Sequence, residues 1–337
     1  MLAIVLVGGE GTRMRPLSAE TPKHLMPIVH RPLLEQLLDH LRMHGVDRVR
    51  LALRRPGEAI EAAVGDGSRL GLRVDYTYED EPLGSGGAIA HAAAGWDEPF
   101  LVCNGDIITD LDVTALVEAH RARGAELSLS LHEVDDPSPF GVVVLDAGGR
   151  ITRFVEKPPR AEAPSRLINA GTWLFEPGLL REMDGSRFNR VEDGLFPRLA
   201  AEGRAIVGFR SDAYWIDVGR PESLLRANLD RVDAETAVAP GASVAPTARV
   251  ELPAVVGAGS TLEAGAAVSR SLLWERVTVG AGAVVRDSVL ATGVIVGAGA
   301  VVERSVIAHG AVIAAGAWLV DEAIEPRAYV APAAAVR

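Results

Sequence analysis

From residue 238 onward an aliphatic side chain returns at every sixth position: Val238, Val244, Val250, Val256, Leu262 and Val268. A longer repeat then takes over. Ser271, Ser288 and Ser305 open three similar 17-residue units, SLLWERVTVGAGAVVRD, SVLATGVIVGAGAVVER and SVIAHGAVIAAGAWLVD. Few architectures accept such a pattern. An aliphatic residue followed by Gly or Ala every six positions fits a triangular parallel β-helix, with the aliphatic residue inward and small residues at the corners. An Ala/Gly-rich linker would share the composition but has no reason to repeat 17-mers.

Upstream of about residue 236 the pattern is different. "MLAIVLV" is a continuous apolar run ended by a glycine pair, which predicts a buried strand. "RPLLEQLLDHLRMHG" has helical spacing and closes on Gly45 as a C-cap. Strands in "VDRVRLAL", "LRVDYTYE" and "PFLVCNGD" alternate with helices in "GEAIEAAVGDG" and "GSGGAIAHAAAG". That alternation predicts an α/β fold with a mostly parallel sheet, whose ligands sit at the carboxyl ends of the strands. "TDLD" reads as a turn and helix start, so Asp110 and Asp112 are left out of any site. "PESLLRANLDRVDAE" reads as a helix leading into the repeats.

The bulk numbers exclude several classes. A net charge of −11, from 45 acidic and 34 basic residues, argues against a nucleic-acid-binding face. One cysteine, Cys103, excludes a disulfide framework or a thiolate cage within the chain. No apolar run reaches membrane-spanning length, and no basic region precedes the apolar start. The expectation is a cytoplasmic protein with neither membrane nor nucleic-acid partners.

Against that acidic background one loop is rich in cations. "GGEGTRMRPLSAETPK" has glycines at 8, 9 and 11, followed by Arg13, Arg15 and Lys23. Glycines after a first strand let backbone N–H groups approach phosphates, and the cations add fixed positive charge. The spacing fits neither the P-loop nor the dinucleotide fingerprint.

These residues resemble the signature of the sugar-1-phosphate nucleotidyltransferases, G-G-x-G-T-R-L-x-P-L-T with P-K about ten residues on, with Met14 for the usual Leu and Ser18 for the usual Thr. The resemblance continues in order through "EDEPLGSGGA", "VCNGD", "FGVV", "FVEKP", "INAGTWLFE" and "YWIDVGRPE". Within the family the motifs are most similar to the mannose-1-phosphate guanylyltransferases. The resemblance implies a Rossmann-like (GT-A-like) catalytic domain over residues 1–232 and a short left-handed parallel β-helix of hexapeptide repeats over 233–337. It also implies transfer of a nucleotidyl group from an NTP to a sugar 1-phosphate, releasing pyrophosphate.

Roles carry over by matching position. Arg13 and Lys23 would be the catalytic cations on the triphosphate, while Arg15 is open between a phosphate contact and a structural ion pair. Leu6, Gly8, Gly9, Gly11, Thr12, Glu79, Gly84 and Asn104 would line the nucleotide. Gly141, Glu156, Lys157 and Asn169 would hold the sugar phosphate, with Asn169 both donating to and accepting from hydroxyls. Asp106 and Asp217 would bind Mg²⁺. Trp173 and Trp215 read as packing residues.

Glu79 takes a position that the family often gives to Gln. A carboxylate only accepts hydrogen bonds. Guanine offers it two adjacent donors, whereas uracil and thymine offer one donor between two carbonyls, so Glu79 favours GTP. Neighbouring Asp80 and Glu81 leave the register of that reading open. Gly84 would let the base lie against the backbone. UTP, dTTP or ATP, and another sugar or cyclitol phosphate such as glucose 1-phosphate, are alternatives. A silent regulatory subunit would be expected to lose Arg13, Lys23, Asp106 or Asp217, and all four are present. An acyltransferase in the β-helix would need a catalytic histidine. His309 is the only histidine there, at a variable repeat position that reads as a solvated turn. The solenoid reads as serving self-association, predicting a homo-oligomer.

Overall fold

Strand β1, Leu2–Leu6, is hydrogen-bonded on both sides, which its unbroken apolar sequence requires. In the computed structural model, which describes residues 1–332, it is followed by α1 (Leu33–Met43), β2 (Arg48–Arg54), α2 (Glu58–Val64), β3 (Arg73–Glu79), α3 (Gly84–Ala92) and β4 (Phe100–Asn104). Helix α4 (Val113–Ala122) comes next, with Asp112 as its N-cap accepting the Ala115 N–H at 2.9 Å. Strands β5 (Leu127–Glu133), β6 (Gly141–Leu145), β7 (Ile151–Glu156) and β8 (Leu167–Phe175), helix α5 (Leu195–Ala201) and strand β9 (Ile206–Arg210) complete the sheet region.

The nine strands form one mixed sheet in the order β7-β6-β8-β4-β1-β2-β3, with β5 pairing β8 and β9. The β4-β1-β2-β3 half is parallel, as the strand–helix alternation predicts. From β8 outward the pairing turns antiparallel, except for the parallel β5–β9 pair. Antiparallel neighbours need no crossover helix, which is why the helix pattern in the sequence thins after residue 122. Phe100, Trp173, Phe175 and Phe196 form the aromatic centre of this core, with Trp173 and Phe196 edge to face at 5.2 Å.

The chain divides into two compact units, one of residues 1–9 with 34–215 and one of residues 10–33 with 216–337. In the second, helix α6 (Pro221–Arg231) leads into the repeats, and its fully buried Asn228 holds the turn at 27–32. Asn228 Oδ1 accepts the Val29 N–H at 2.8 Å, and its Nδ2 donates to the Pro27 and Leu224 carbonyls.

The repeats form three all-parallel sheets of six, five and five short strands, a left-handed β-helix. Val244 pairs with Leu262 eighteen residues on, whereas Leu262 pairs with Val279 seventeen on, so the coil shortens by one residue after the first turn. Val256, Leu262, Val268, Leu273, Val279 and Val285 are buried inside, whereas Val244 in the first coil is exposed. The repeating serines are internal too. Ser271 Oγ accepts the Ser288 N–H at 3.1 Å, Ser288 Oγ accepts the Ser305 N–H at 3.0 Å, and Ser305 Oγ accepts the Glu322 N–H at 3.1 Å.

Two expectations are corrected here. Small residues do not take every corner. Arg270, Asp287, Arg304 and Asp321 hold one corner of successive coils with φ between 45° and 57°. Their side chains pair along the stack, with Arg270 Nε 2.6 Å from Asp287 Oδ1 and Arg304 Nε 2.8 Å from Asp321 Oδ1. Nor is His309 a solvated turn residue. It is half-buried, with Nε2 3.0 Å from Thr21 Oγ1 and its ring against Trp274 at 5.3 Å. Burial pushes its pKa down. Thr21 lies 288 positions away, so repeat position alone does not reveal the contact.

Among the described residues no helix is long and apolar enough to cross a membrane. Replacing Ser288, which is 1% exposed, by Ala would leave the Ser305 N–H without its partner. The expected loss is about 1–3 kcal/mol, read from chemical denaturation.

Candidate active site

In the first unit the parallel strands end level with one another. Leu6 is in register with Ala52 on one side and Asn104 on the other. Beyond the strands, Val7 N–H donates to Ala52 O and Gly105 N–H to Leu6 O, both at 2.9 Å. Gly8 follows, and a Cβ built on it would lie 3.8 Å from Glu79 Oε1. The first glycine and the last residue of β3 therefore share one neighbourhood.

Glu79 is 8% exposed, and its Oε2 accepts the Leu83 N–H at 2.9 Å. Burial raises its pKa, partly offset by that bond. Asp80 and Glu81 are exposed, and Asp80 sits 3.3 Å from Arg55. Of the three consecutive acids only Glu79, the last residue of β3, is buried.

Gly84 has a packing requirement of its own. Its φ is +69°, and a Cβ there would stand 2.5 Å from the Asn189 carbonyl oxygen. The space is taken by Asn189, which also accepts the Gly86 N–H at 3.0 Å and donates its own N–H to Leu83 O at 2.8 Å. Gly141 has a similar cause, since a Cβ on it would be 2.4 Å from Phe154 Cζ. Both glycines serve close packing on that side.

Asn104 ends β4, and half-buried Asp106 follows two residues later. Asn169 lies on β8 at an irregularity in its pairing with β5. Its Oδ1 accepts Trp173 Nε1–H at 2.6 Å and Gly171 N–H at 3.2 Å. Both of these bonds fall on the one oxygen, which is thereby committed within β8. Trp173 is fully buried, and Trp215 Nε1–H donates to Ala170 O at 2.8 Å, so both indoles serve packing.

Glu156 ends β7 with its side chain 14% exposed. Lys157 Nζ is 3.3 Å from Glu156 Oε1, and Arg190 approaches the same oxygen at 3.0 Å. Arg190 and its neighbour Glu192, whose pKa burial raises, went unread in the sequence. The ion pair spans 34 residues and no local pattern announces it.

In the second unit, Gly11 has a φ of 63° and opens the short turn Thr12–Met14. Arg13 is exposed, as is Arg15. The stem of half-buried Lys23 lies against Gly11, since a Cβ on Gly11 would be 3.6 Å from Lys23 Cγ. Asp217 ends the short strand Trp215–Asp217. A Cβ on Gly219 would come 2.5 Å from Asp217 Oδ1 and 3.0 Å from an Arg13 guanidinium nitrogen. Arg13 and Asp217 thus converge at Gly219, another residue not singled out from the sequence. Among the described residues no group of three or more His, Cys, Asp or Glu side chains is arranged to hold a metal by itself.

A family model described as nucleotidyl transferase matches residues 2–233, and one described as GMPPB C-terminal domain matches residues 232–334. A mannose-1-phosphate guanylyltransferase of Mycobacterium tuberculosis is 35% identical over 291 residues, 82% of this chain and 80% of that protein. A UTP–glucose-1-phosphate uridylyltransferase of Synechocystis is 35% identical over 234 residues, 65% of this chain and 60% of the relative. The crystal structure of HddC from Yersinia pseudotuberculosis complexed with GMP-PN superposes with a TM-score of 0.58 at 30% identity, covering 67% of this chain and 97% of that one.

The raised pKa of Glu79 has a signed consequence for stability. A carboxyl whose folded pKa exceeds its unfolded one contributes most below the unfolded value and loses that contribution as pH rises through the folded value. Glu79→Gln should therefore be more stable than the parent at pH 7. The gain should vanish near about pH 4, where both states of Glu79 are largely protonated. Denaturation midpoints at the two pH values test this.

Proposed function

The chain belongs to the nucleotidyl transferase family, and we propose that it joins GTP to mannose 1-phosphate, giving GDP-mannose and pyrophosphate. It is a nucleotidyltransferase, acting on an NTP and a sugar 1-phosphate. The observation that carries the choice of GTP is the inward-turned carboxylate of Glu79. Held by the Leu83 N–H, it keeps lone pairs on both oxygens for the N1–H and 2-amino donors of guanine. Mannose rests on the M. tuberculosis relative. The uridylyltransferase relative favours a second reading, UTP with glucose 1-phosphate.

In the reaction an oxygen of the sugar phosphate attacks the α-phosphorus in line and pyrophosphate leaves. Both reactants are anions, so catalysis is positioning and charge neutralisation. Arg13 neutralises the triphosphate and the departing pyrophosphate, and Lys23 neutralises phosphate oxygens at the reacting centre. Gly8, Gly9, Gly11 and Thr12 wrap the phosphates, while Leu6, Asn104 and the Leu83–Gly84 turn border the nucleoside. Lys157 takes the sugar's phosphate. Glu156 accepts from sugar hydroxyls, the Asn169 NH₂ donates to them, and Gly141 lines the ring.

Asp106 and Asp217 are the residues to hold Mg²⁺. Carboxylates suit an ion that would take few protein ligands and fill its shell with phosphate oxygens and water. When bound, the ion supplies further neutralisation of the α-phosphate.

Residues 1–232 serve catalysis in this reading and 233–337 serve assembly, in a cytoplasmic homo-oligomer. The β-helix supports that role by exposing Ile295, Trp318 and Tyr329, the last two at 70% and 68%.

Pyrophosphate release from each NTP paired with a panel of sugar 1-phosphates should be greatest for GTP with mannose 1-phosphate. Higher turnover with UTP or dTTP would remove the Glu79 argument. Arg13→Ala should lower kcat by about 10²–10³ with the fold intact, and Asp106→Asn should abolish metal-dependent turnover. Because the Glu79 carboxyl must be ionised to accept twice, the KM for GTP should rise as pH falls through its raised pKa. Glu79→Gln should flatten that rise. Light scattering that shows a monomer at micromolar concentration would count against assembly.

A further inference from the structure

Arg190, like Arg204, is a cation of the first unit set among several carboxylates. Its guanidinium faces three carboxylates: Glu156 Oε1 at 3.0 Å, Asp193 Oδ2 at 3.0 Å and Glu192 Oε2 at 3.7 Å. The guanidinium is already engaged by these groups, so this arginine is poorly placed to capture a phosphate of its own. Two of its partners are largely withdrawn from water, with side-chain exposures of 14% for Glu156 and 13% for Glu192. A carboxylate at that depth is costly unless a donor fixes it.

The surroundings of Arg190 are themselves anchored. The Asn189 carbonyl accepts Gly86 N–H at 3.0 Å and Gly87 N–H at 3.3 Å. Ser85 Oγ accepts Val191 N–H at 3.1 Å and donates to the Glu192 carboxylate. The backbone on both sides of Arg190 is thus tied to the first turn of α3, and only the side chain reaches Glu156. Lys157 also meets Glu156 Oε1, but its side chain is 55% exposed and an ammonium imposes no plane.

We infer that Arg190 is a positioning residue, whose guanidinium holds the Glu156 carboxylate in the orientation that accepts the sugar's hydroxyls. The inference rests on the sugar-binding role proposed above for Glu156. Arg190 touches neither substrate nor reacting phosphate and acts through Glu156. Because Asn189 and Val191 bond through their backbones, exchange of the Arg190 side chain leaves the α3 turn and the nucleotide side in place.

The test is a double-mutant cycle in the full chain, with mannose 1-phosphate and GTP varied separately. Arg190→Gln and Glu156→Gln should each raise the KM for the sugar phosphate about tenfold, with the KM for GTP unchanged and kcat little affected. The double variant should be no worse than Glu156→Gln alone, because Arg190 has nothing left to orient. Arg190→Lys, which keeps the charge without the planar fork, should fall between parent and Arg190→Gln. Independent losses that multiply in the double variant would overturn the inference, as would equal rises in both KM values with a lowered thermal midpoint. If Glu156→Gln leaves the sugar KM unchanged, the role of Glu156 itself is wrong and the inference falls with it. A defect in Glu156→Gln with none in Arg190→Gln sinks the inference alone. Should Arg190→Gln fail to fold, Arg190→Lys carries the same readouts.

Discussion

The double-sided hydrogen bonding of β1 is the constraint from which the first unit follows. A strand paired in parallel on both edges must be apolar along its whole length, because both of its faces are covered. Its register with β2 and β4 brings Leu6, Ala52 and Asn104 to one level. Whatever follows those residues emerges at the same edge of the sheet. Gly8, Glu79 and Asp106 all fall at that edge for that reason, although they are far apart in the chain.

Buried carboxylates are the recurring expense at that edge. Glu79, Glu156 and Glu192 are each withdrawn from water, and each has a specific donor: the Leu83 N–H, the Arg190 guanidinium and the Ser85 hydroxyl. An acceptor already oriented when a ligand arrives does not have to be ordered by it. The same logic operates in the second unit, where Gly219 leaves room for Arg13 and Asp217 to converge.

The β-helix runs on a different principle. Each coil satisfies its backbone through the next, so the inward aliphatic column and the serine ladder repeat at the coil length. Side chains at the corners are free of that demand. Paired Arg and Asp can occupy left-handed corners because the pair forms along the stack. His309 uses the same freedom to reach Thr21.

The sequence by itself determined the strand–helix alternation, the solenoid, the family resemblance and the loop in which glycines precede Arg13 and Lys23. All of these are carried by residues close together in the chain, where periodicity and motif spacing are visible. Glu79 is the last paired residue of β3 and Asp80 and Glu81 lie beyond it, so only the tertiary structure separated Glu79 from its two neighbours. Only it revealed that Asn189 fills the space beside Gly84, that Trp173 occupies the oxygen of Asn169, and that Arg190 pairs with Glu156. Each of those contacts joins residues that the fold brings together for reasons of packing, and a one-dimensional pattern carries no record of a partner chosen in that way.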